Sequence, residues 1–398
     1  MKSNSRIIVV HLITKLELGG AQLNTVYTAE HLDQLCFDVY LLSGPGGVLP
    51  ARLAGAERMI FIPTLTREIS LGKDLRTLFS LLRLFKNIKP HIVHTHSSKA
   101  GILGRLAAFL VGVPIIIHSV HGFSFSPFQS FFKRNFYLFF EKFCRPLTSH
   151  FIFVARGDID LARRKKLVGD NFSLIRSGFP LQKFISRHED LAVLKKKYDL
   201  PDGHFVCGAI APFKPQKGLL HLVEIAARVI RQNPAVIFFI AGDGEQRQEL
   251  EDELQRRGIF QNFRLPGFLH DVENVIDCFD IGVSAALWEG LPQSLVQLRL
   301  KKKAVVASDI PGNREVIRDG VNGYLVSVND HERFASVILK LAADPVLRNQ
   351  LGGYDGEDFS EWDATVMVSR QEELYQRLLT GFRFEGKLNS ETKNGKAL

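Results

Sequence analysis

The chain has 398 residues, 45% of them hydrophobic and 23% charged, with a net charge of +9. This excludes a disordered protein, and at roughly 100–200 residues per domain the length suggests two cores. Four cysteines (Cys36, Cys144, Cys207, Cys278) stand far apart with no CxxC pair, which excludes a cysteine zinc site or disulfide framework and fits a reducing cytoplasm.

The basic excess is uneven. Residues 1–180 hold 23 Lys and Arg against 11 Asp and Glu; the remainder holds 28 against 31. A basic first half is suited to an anionic surface or a phosphate-bearing substrate. No signal peptide is read, because the apolar run Ile7–Ile13 contains His11 and leads into a Gly-rich turn. The longest apolar stretch, Leu106–Ile117, is broken by Gly112 and Pro114 and is shorter than the ~20 residues that span a bilayer. A soluble or peripheral protein is expected.

In chain order, strands are expected at Arg6–Ile13, Asp38–Leu42, Ile92–His94, Ile115–Ser119 and His150–Val154, then at Phe205–Ala209, Val236–Ala241, Ile281–Ser284, Ala304–Ala307 and Gly323–Leu325. Most are continuous apolar runs, as in parallel sheets covered by helices on both faces. Helical stretches such as Leu75–Lys86, Leu219–Arg231 and Gln246–Arg257 separate them. The pattern predicts a doubly wound α/β protein. The alternation restarts after a boundary near Ser177–Pro201. The expected domains are 1–180 and 181–363, with a last helix at about 364–379 packing back on the first domain and a flexible tail at 380–398.

Chemistry-bearing clusters lie where strands end, as ligand sites do in open α/β sheets. After the first strand, Gly19 and Gly20 precede a helix, so backbone there can approach a phosphate at the helix N-terminus, although a tight turn alone reads equally well. His94, His96, Ser97, Ser98 and Lys99 follow the third expected strand, with Ser97 or Ser98 as helix cap. The His94–His96 pair has no third ligand nearby in sequence, so a metal is not expected. His121, beside Gly122, reads as structural or functional. In the second half Lys214 and Lys217 sit on a loop suited to a diphosphate or to solvent. Gly242–Glu245 reads as a structural turn bordering a base, since Asp243 and Glu245 would repel phosphate. Glu289 is followed by Gly290, Leu291 and a helix carrying Gln297, a spacing that can bracket a sugar nucleotide or simply cap a surface helix. Between Pro127 and Pro146, seven phenylalanines alternate with Lys133, Arg134, Lys142 and Arg145; such a helix lies in a membrane interface or is buried.

Taken together, GGAQ, VHTHSSKAGILGR, HGFSF, FKPQKG and EGLPQSLVQ, with AGDGE, PGNREVI and DGVNGYLV, resemble in order the family-4 retaining glycosyltransferases of the GT-B fold, over about residues 6–380. The resemblance implies two Rossmann-like domains facing across a cleft that holds a nucleotide-sugar. It implies Gly20 against the donor phosphates and His121 by the transferred sugar. Lys217, with Lys214, would hold the diphosphate, and Glu289 would position the sugar with the amides of Gly290 and Leu291. Gln297 would meet the ribose, and His96, Ser97 and Lys99 would lie on the acceptor side. A UDP- or GDP-linked donor, transfer with retention and no metal are implied. So is an acceptor that is lipid-linked or a glycan, in envelope polysaccharide, lipopolysaccharide or glycolipid synthesis at the inner face of the cytoplasmic membrane. No nucleic-acid partner is expected.

Three departures stand out. Gln297 replaces the family's second Glu and loses a charge-assisted bond. Arg299–Ala304 replaces a small-residue stretch ending in Gly-x-Pro. Ala211 and Pro212 stand where an Arg often precedes the diphosphate Lys. Gln297 and Lys301–Lys303 support an alternative, a catalytically weakened homologue that binds a sugar nucleotide or a partner. A sugar-nucleotide epimerase would need a pair of acid/base carboxylates that the motifs do not supply, and a dehydrogenase would need a GxGxxG after the first strand.

Overall fold

A computed structural model describes residues 6–17, 19–47, 49, 58–123, 125, 131–185 and 189–394, without the side chains of Lys133 and residues 383–394. Ser124, Pro127 and Phe128 of the stretches quoted above, and residues 395–398 of the expected tail, lie outside the described residues. The chain forms two compact units, residues 1–179 with 360–398, and residues 180–359.

The first unit runs β1 (Ile7–Ile13), α1 (Gly20–His31), β2 (Phe37–Ser43), β3 (Met59–Phe61), α2 (Leu71–Ile88), β4 (Ile92–His96), α3 (Ser98–Val111), β5 (Ile115–Val120), α4 (Phe131–Cys144), β6 (His150–Phe153), α5 (Arg156–Arg164) and β7 (Phe172–Leu174). Its strands are parallel, in the order β3-β2-β1-β4-β5-β6-β7. The second unit opens with α6 (Leu181–Ile185) and α7 (Leu191–Lys197), then β8 (Phe205–Ile210), α8 (Leu219–Gln232), β9 (Val236–Ala241), α9 (Arg247–Arg256), β10 (Phe263–Gly267), α10 (Val272–Val275) and β11 (Ile281–Ser284). It closes with α11 (Gln293–Leu300), β12 (Ala304–Ser308), α12 (Pro311–Arg314), β13 (Gly323–Val326), α13 (His331–Ala343) and α14 (Pro345–Gly352). Its sheet, also parallel, has the order β10-β9-β8-β11-β12-β13.

Both sheets are doubly wound, and in each the strand order reverses once, between β1 and β4 and between β8 and β11. Ligands of such sheets bind beyond the strand ends at that switch point. The interior strands are continuous apolar runs because helices cover both faces: β9, for example, is buried along its whole length.

Glycines set how closely helices approach. A Cβ on Gly104 of α3 would come within 2.5 Å of Leu12, and one on Gly101 would meet the His118 ring at the same distance. The glycines of the SKAGILGR stretch therefore let α3 lie directly on the sheet. Arg105 of the same helix is fully buried and is matched by Glu141 of α4 at 2.8 Å, as an interior charge requires.

The last helix, α15 (Ala364–Asn394), buries Met367, Val368, Leu374, Tyr375 and Leu379 against Val9, Ile92 and Ile117 of the first sheet. It does not end near 379 as expected from the sequence. Helix continues through 380–394, because Gly381 is followed by no proline and a lone helical Gly costs only about 1 kcal/mol.

Candidate active site

The switch point of the first sheet is crowded with imidazoles. Pairing of β1 with β4 sets His11 beside His94, and alternate residues of β4 add His96 on the same face. His11 Nδ1 lies 3.1 Å from His96 Nε2, and His96 Nδ1 lies 3.2 Å from His121 Nε2 just past β5. His94 is held separately, Nδ1 2.6 Å from the Tyr375 hydroxyl and Nε2 2.7 Å from Ser119 Oγ. Burial pushes His11 down to about 3 and His121 to about 4, and holds His94 and His96 well below the usual imidazole range. All four are neutral at pH 7.

The third ligand that sequence spacing could not supply for His94 and His96 is thus present in space, as His11. Ring nitrogens of His11, His94 and His96 lie within 4.8 Å of one another. Both His94 nitrogens already hold a hydroxyl partner, and His11 and His96 spend a nitrogen each on one another, so a metal would have to break bonds that the protein satisfies. A cavity of about 10 Å³, room for about one water, adjoins His96 and His121 and is also lined by Asn24, Thr25, Ser119 and Gln371.

The other residues of this half divide. Gly20 is the first residue of α1, which has no side-chain cap and no acidic residue in its first turn, so the positive end of its dipole is not offset locally. Ser97 occupies the cap position of α3 but does not cap it. Its Oγ bonds Thr14 Oγ1 at 2.7 Å, and its φ of 62° is unusual for a residue with a side chain. Ser97 therefore ties the end of β4 to the end of β1. Lys99 pairs with Asp74 of α2 and donates to the Glu68 carbonyl. Of the phenylalanines on α4, Phe131, Phe132, Phe136, Phe139 and Phe143 are exposed, which decides against a buried helix.

In the second unit the switch point carries the charges. The Lys217 ammonium is bonded to Glu289 Oε1. Gln216 Nε2 donates to Glu289 Oε2 at 3.2 Å and to the Trp288 carbonyl at 2.9 Å. The loops after β8 and β11 are thus joined through one carboxylate. Two glycines make this possible. Gly218 has φ 61°, and a Cβ there would lie 2.0 Å from the Ala285 carbonyl; one on Gly312 would lie 2.6–2.8 Å from Glu289 and Gly290 atoms. Lys214 is half-buried and opens the turn Pro215–Lys217. Gly290 and Leu291 lead to α11, where Gln297 is half-buried.

Sequence reading missed Gln216, Gly218, Gly312 and His11 as site residues. Gln216 and Gly218 flank Lys217 within a motif already singled out, and Gly312 lies in PGNREVI, so position could have flagged them. His11 had no signal short of strand register.

The Lys301–Lys303 run proves structural. Lys302 takes the left-handed φ of 52° that a glycine would supply at a helix end. Lys301 pairs with Asp277 at 3.0 Å, and Lys303 donates to the Phe279 carbonyl at 2.7 Å. Arg299 is buried against Glu357 at 2.7 Å, and Asn322 bonds the same carboxylate. The segment closes α11 by other means and gives no support to a weakened homologue.

Residues 19–178 match the model of the "Glycosyl transferase 4-like domain" family, and residues 192–356 that of "Glycosyl transferases group 1". The chain is 33% identical over 380 residues to the UDP-Gal:alpha-D-GlcNAc-diphosphoundecaprenol alpha-1,3-galactosyltransferase of Escherichia coli, covering 94% of this chain and 98% of that one. It is 24% identical to the N,N'-diacetylbacillosaminyl-diphospho-undecaprenol alpha-1,3-N-acetylgalactosaminyltransferase of Campylobacter jejuni, over 77% of this chain and 82% of the other. The crystal structure of Anabaena HepE in complex with UDP-glucose superposes with a TM-score of 0.79 at 18% identity, covering 94% of this chain and 100% of that one. Two switch-point sheets, a Lys–Glu pair at the second and this full-length likeness lead to one conclusion: the chain is a glycosyltransferase of group 1, with the GT-B fold.

Proposed function

We propose that the enzyme moves a hexose from a UDP-sugar, UDP-galactose before others, to a sugar carried on a polyprenyl diphosphate, with retention and without a metal ion. The observation that carries this reading is the Lys217–Glu289 pair braced by Gln216. A fixed ammonium at a switch point suits a diphosphate leaving group, and a carboxylate beside it suits sugar hydroxyls. In the reaction the bond from the anomeric carbon to the diphosphate oxygen breaks, a bond to the acceptor oxygen forms on the same face, and the acceptor's hydroxyl proton passes to the departing diphosphate oxygen. The negative charge that grows on the diphosphate is met by Lys217, with Lys214 on the same loop. Gln297 accepts from a ribose hydroxyl. Gly20, at the open N-terminus of α1, faces phosphate. The choice of uridine nucleotide and lipid-linked acceptor is supported by the names of the Escherichia coli and Campylobacter relatives.

The acceptor places the enzyme at the cytoplasmic face of a membrane as a peripheral protein, in envelope polysaccharide or lipopolysaccharide assembly. Exposed phenylalanines on α4, with Arg134 and Lys142 on the same helix, support contact with anionic lipid. No described helix is long and apolar enough to cross a membrane.

The test is transfer of labelled galactose from UDP-galactose to GlcNAc-diphosphoundecaprenol, with and without EDTA. Each UDP- and GDP-sugar is scored alongside for thermal stabilisation. Transfer that survives EDTA supports the reading. Transfer abolished by EDTA removes the metal-free mechanism, and stabilisation by GDP-sugars alone removes the uridine donor. A protein that no nucleotide-sugar stabilises would be a binding homologue without donor chemistry.

A further inference from the structure

The His11–His96–His121 chain constrains its own protons. His96 stands in the middle, one nitrogen facing each neighbour. A neutral imidazole has one N–H and one lone pair, so His96 donates to one neighbour and accepts from the other. Only two proton orders are then possible for three neutral rings. In one, hydrogen bonds run from His121 towards His11, and His11 Nε2 ends the chain as an N–H. In the other they run from His11 towards His121, and His121 Nδ1 ends it as an N–H.

The two ends differ in surroundings. His11 is fully buried, and its Nε2 has no hydrogen-bond partner among the described residues. It is not among the residues lining the cavity, whereas His96 and His121 both are. His121 Nδ1 is also shielded and lacks a partner among the described residues. An orphaned N–H in an interior is rarer than an under-satisfied acceptor, so the order that leaves a lone pair at fully buried His11 and the N–H on His121, a ring that lines the cavity, is favoured. Burial keeps all three rings neutral, which preserves the order at pH 7.

We infer that His11 and His96 are positioning residues that lock His121 into its Nδ1–H tautomer, so that His121 meets its ligand as a hydrogen-bond donor and not as a base. The ligand group is an oxygen acceptor: a sugar hydroxyl, a ring oxygen or a phosphate oxygen. A partner on one ring nitrogen setting the chemistry of the other is the general rule for histidine. The functional half of this inference rests on the transferase reading above; the tautomer half does not.

The deciding measurement is a long-range ¹H–¹⁵N spectrum of the intact protein with ¹⁵N-labelled histidine at pH 7.5, His121 being assigned through His121→Asn. The wild type should show His121 protonated at Nδ1 and bare at Nε2. The reverse pattern overturns the inference without touching the transferase assignment, because no substrate is present. His96→Leu should free His121 to carry its proton on Nε2. His96→Gln, whose amide can still donate to His121 Nε2, should retain the Nδ1–H form. In galactose transfer kcat should fall on the order of 10–100-fold in His96→Leu and recover in His96→Gln, with KM for UDP-galactose little changed. Equal kcat in both variants would remove the positioning role, as would an unchanged His121 spectrum in His96→Leu.

Discussion

His94 Nδ1 and the Tyr375 hydroxyl, 281 positions apart in sequence, meet at 2.6 Å inside the first unit. This bond fastens the C-terminal helix to the centre of the sheet at β4. Tyr375→Phe removes the hydroxyl and leaves a buried ring nitrogen unsatisfied, at a cost of about 1–3 kcal/mol. The urea midpoint should fall accordingly with an unchanged slope. A midpoint equal to wild type would mean that the hydroxyl does not anchor the helix.

Lys217 and Glu289 should prove inseparable in kinetics. Lys217→Met leaves Glu289 with only Gln216, and Glu289→Gln leaves the ammonium without its counter-charge. Each should lower kcat by about 10²–10³, the scale for removing one fixed electrostatic contact to a transition state. The double variant should lose far less than the product of the two, because both residues act as one unit. Simple multiplication of the two effects would show that they act apart.

Gly312 tests whether backbone spacing governs Glu289. A Cβ there meets main-chain oxygens of Glu289 and Gly290, and neither can swing aside as a flexible side-chain tip could. Gly312→Ala should displace the loop and reduce kcat/KM at least tenfold, with overpacking costing about 1–3 kcal/mol of stability. Retained activity with retained stability would show that the loop has slack.

Stability should fall steeply in mild acid. His11 and His121 are pushed by burial from 6.5 to about 3 and about 4, and His94, His96 and His118 are also lowered. Between those values and 6.5 the unfolded chain binds protons that the folded one refuses. Their contribution is therefore complete above about pH 6.5 and is lost as pH drops, at up to ~1.4 kcal/mol per pH unit for each ring. Urea midpoints at pH 7.5 and pH 5 should differ clearly, with the lower value in acid. Equal midpoints would mean that the rings take up protons without unfolding.

The α4 phenylalanines give the membrane proposal its test. Phe132 and Phe139 are 84% and 62% exposed. Phe132→Ser with Phe139→Ser should weaken co-sedimentation with phosphatidylglycerol vesicles by about 10²–10⁴-fold, since burying each Phe contributes about 1.5–3 kcal/mol. Folding stability should be unaffected. Undiminished sedimentation would assign the contact elsewhere on the protein.

The interior strands were legible because burial on both faces forces long apolar runs. The three strands without a sequence signal, β3, β7 and β10, are all sheet edges. β3 and β7 have three residues each, none of them buried, and one-sided pairing leaves little pattern. The chemistry was legible where one loop carries it, as with Lys217 or Glu289. It was hidden where separate strands or loops must meet, as with His11 beside His96, or Gly312 beneath Glu289. Lys302 shows a third kind of opacity. A non-glycine can hold a left-handed turn when its neighbours Lys301 and Lys303 are tied down, and no propensity rule announces that.

Because the first unit closes with residues 360–398, it cannot finish folding when its own sheet has left the ribosome. Val9, Ile92 and Ile117 wait for Leu374 and Tyr375 to cover them. At 5–20 residues per second, the intervening 180–359 segment imposes a delay of roughly 10–40 s. During that interval a nascent chain carries an open apolar sheet face, of the kind that chaperones exist to shield, while the second unit can already have folded alone. Emergence of the last helix, and not of the amino-terminal half, is the event that seals that half of the enzyme.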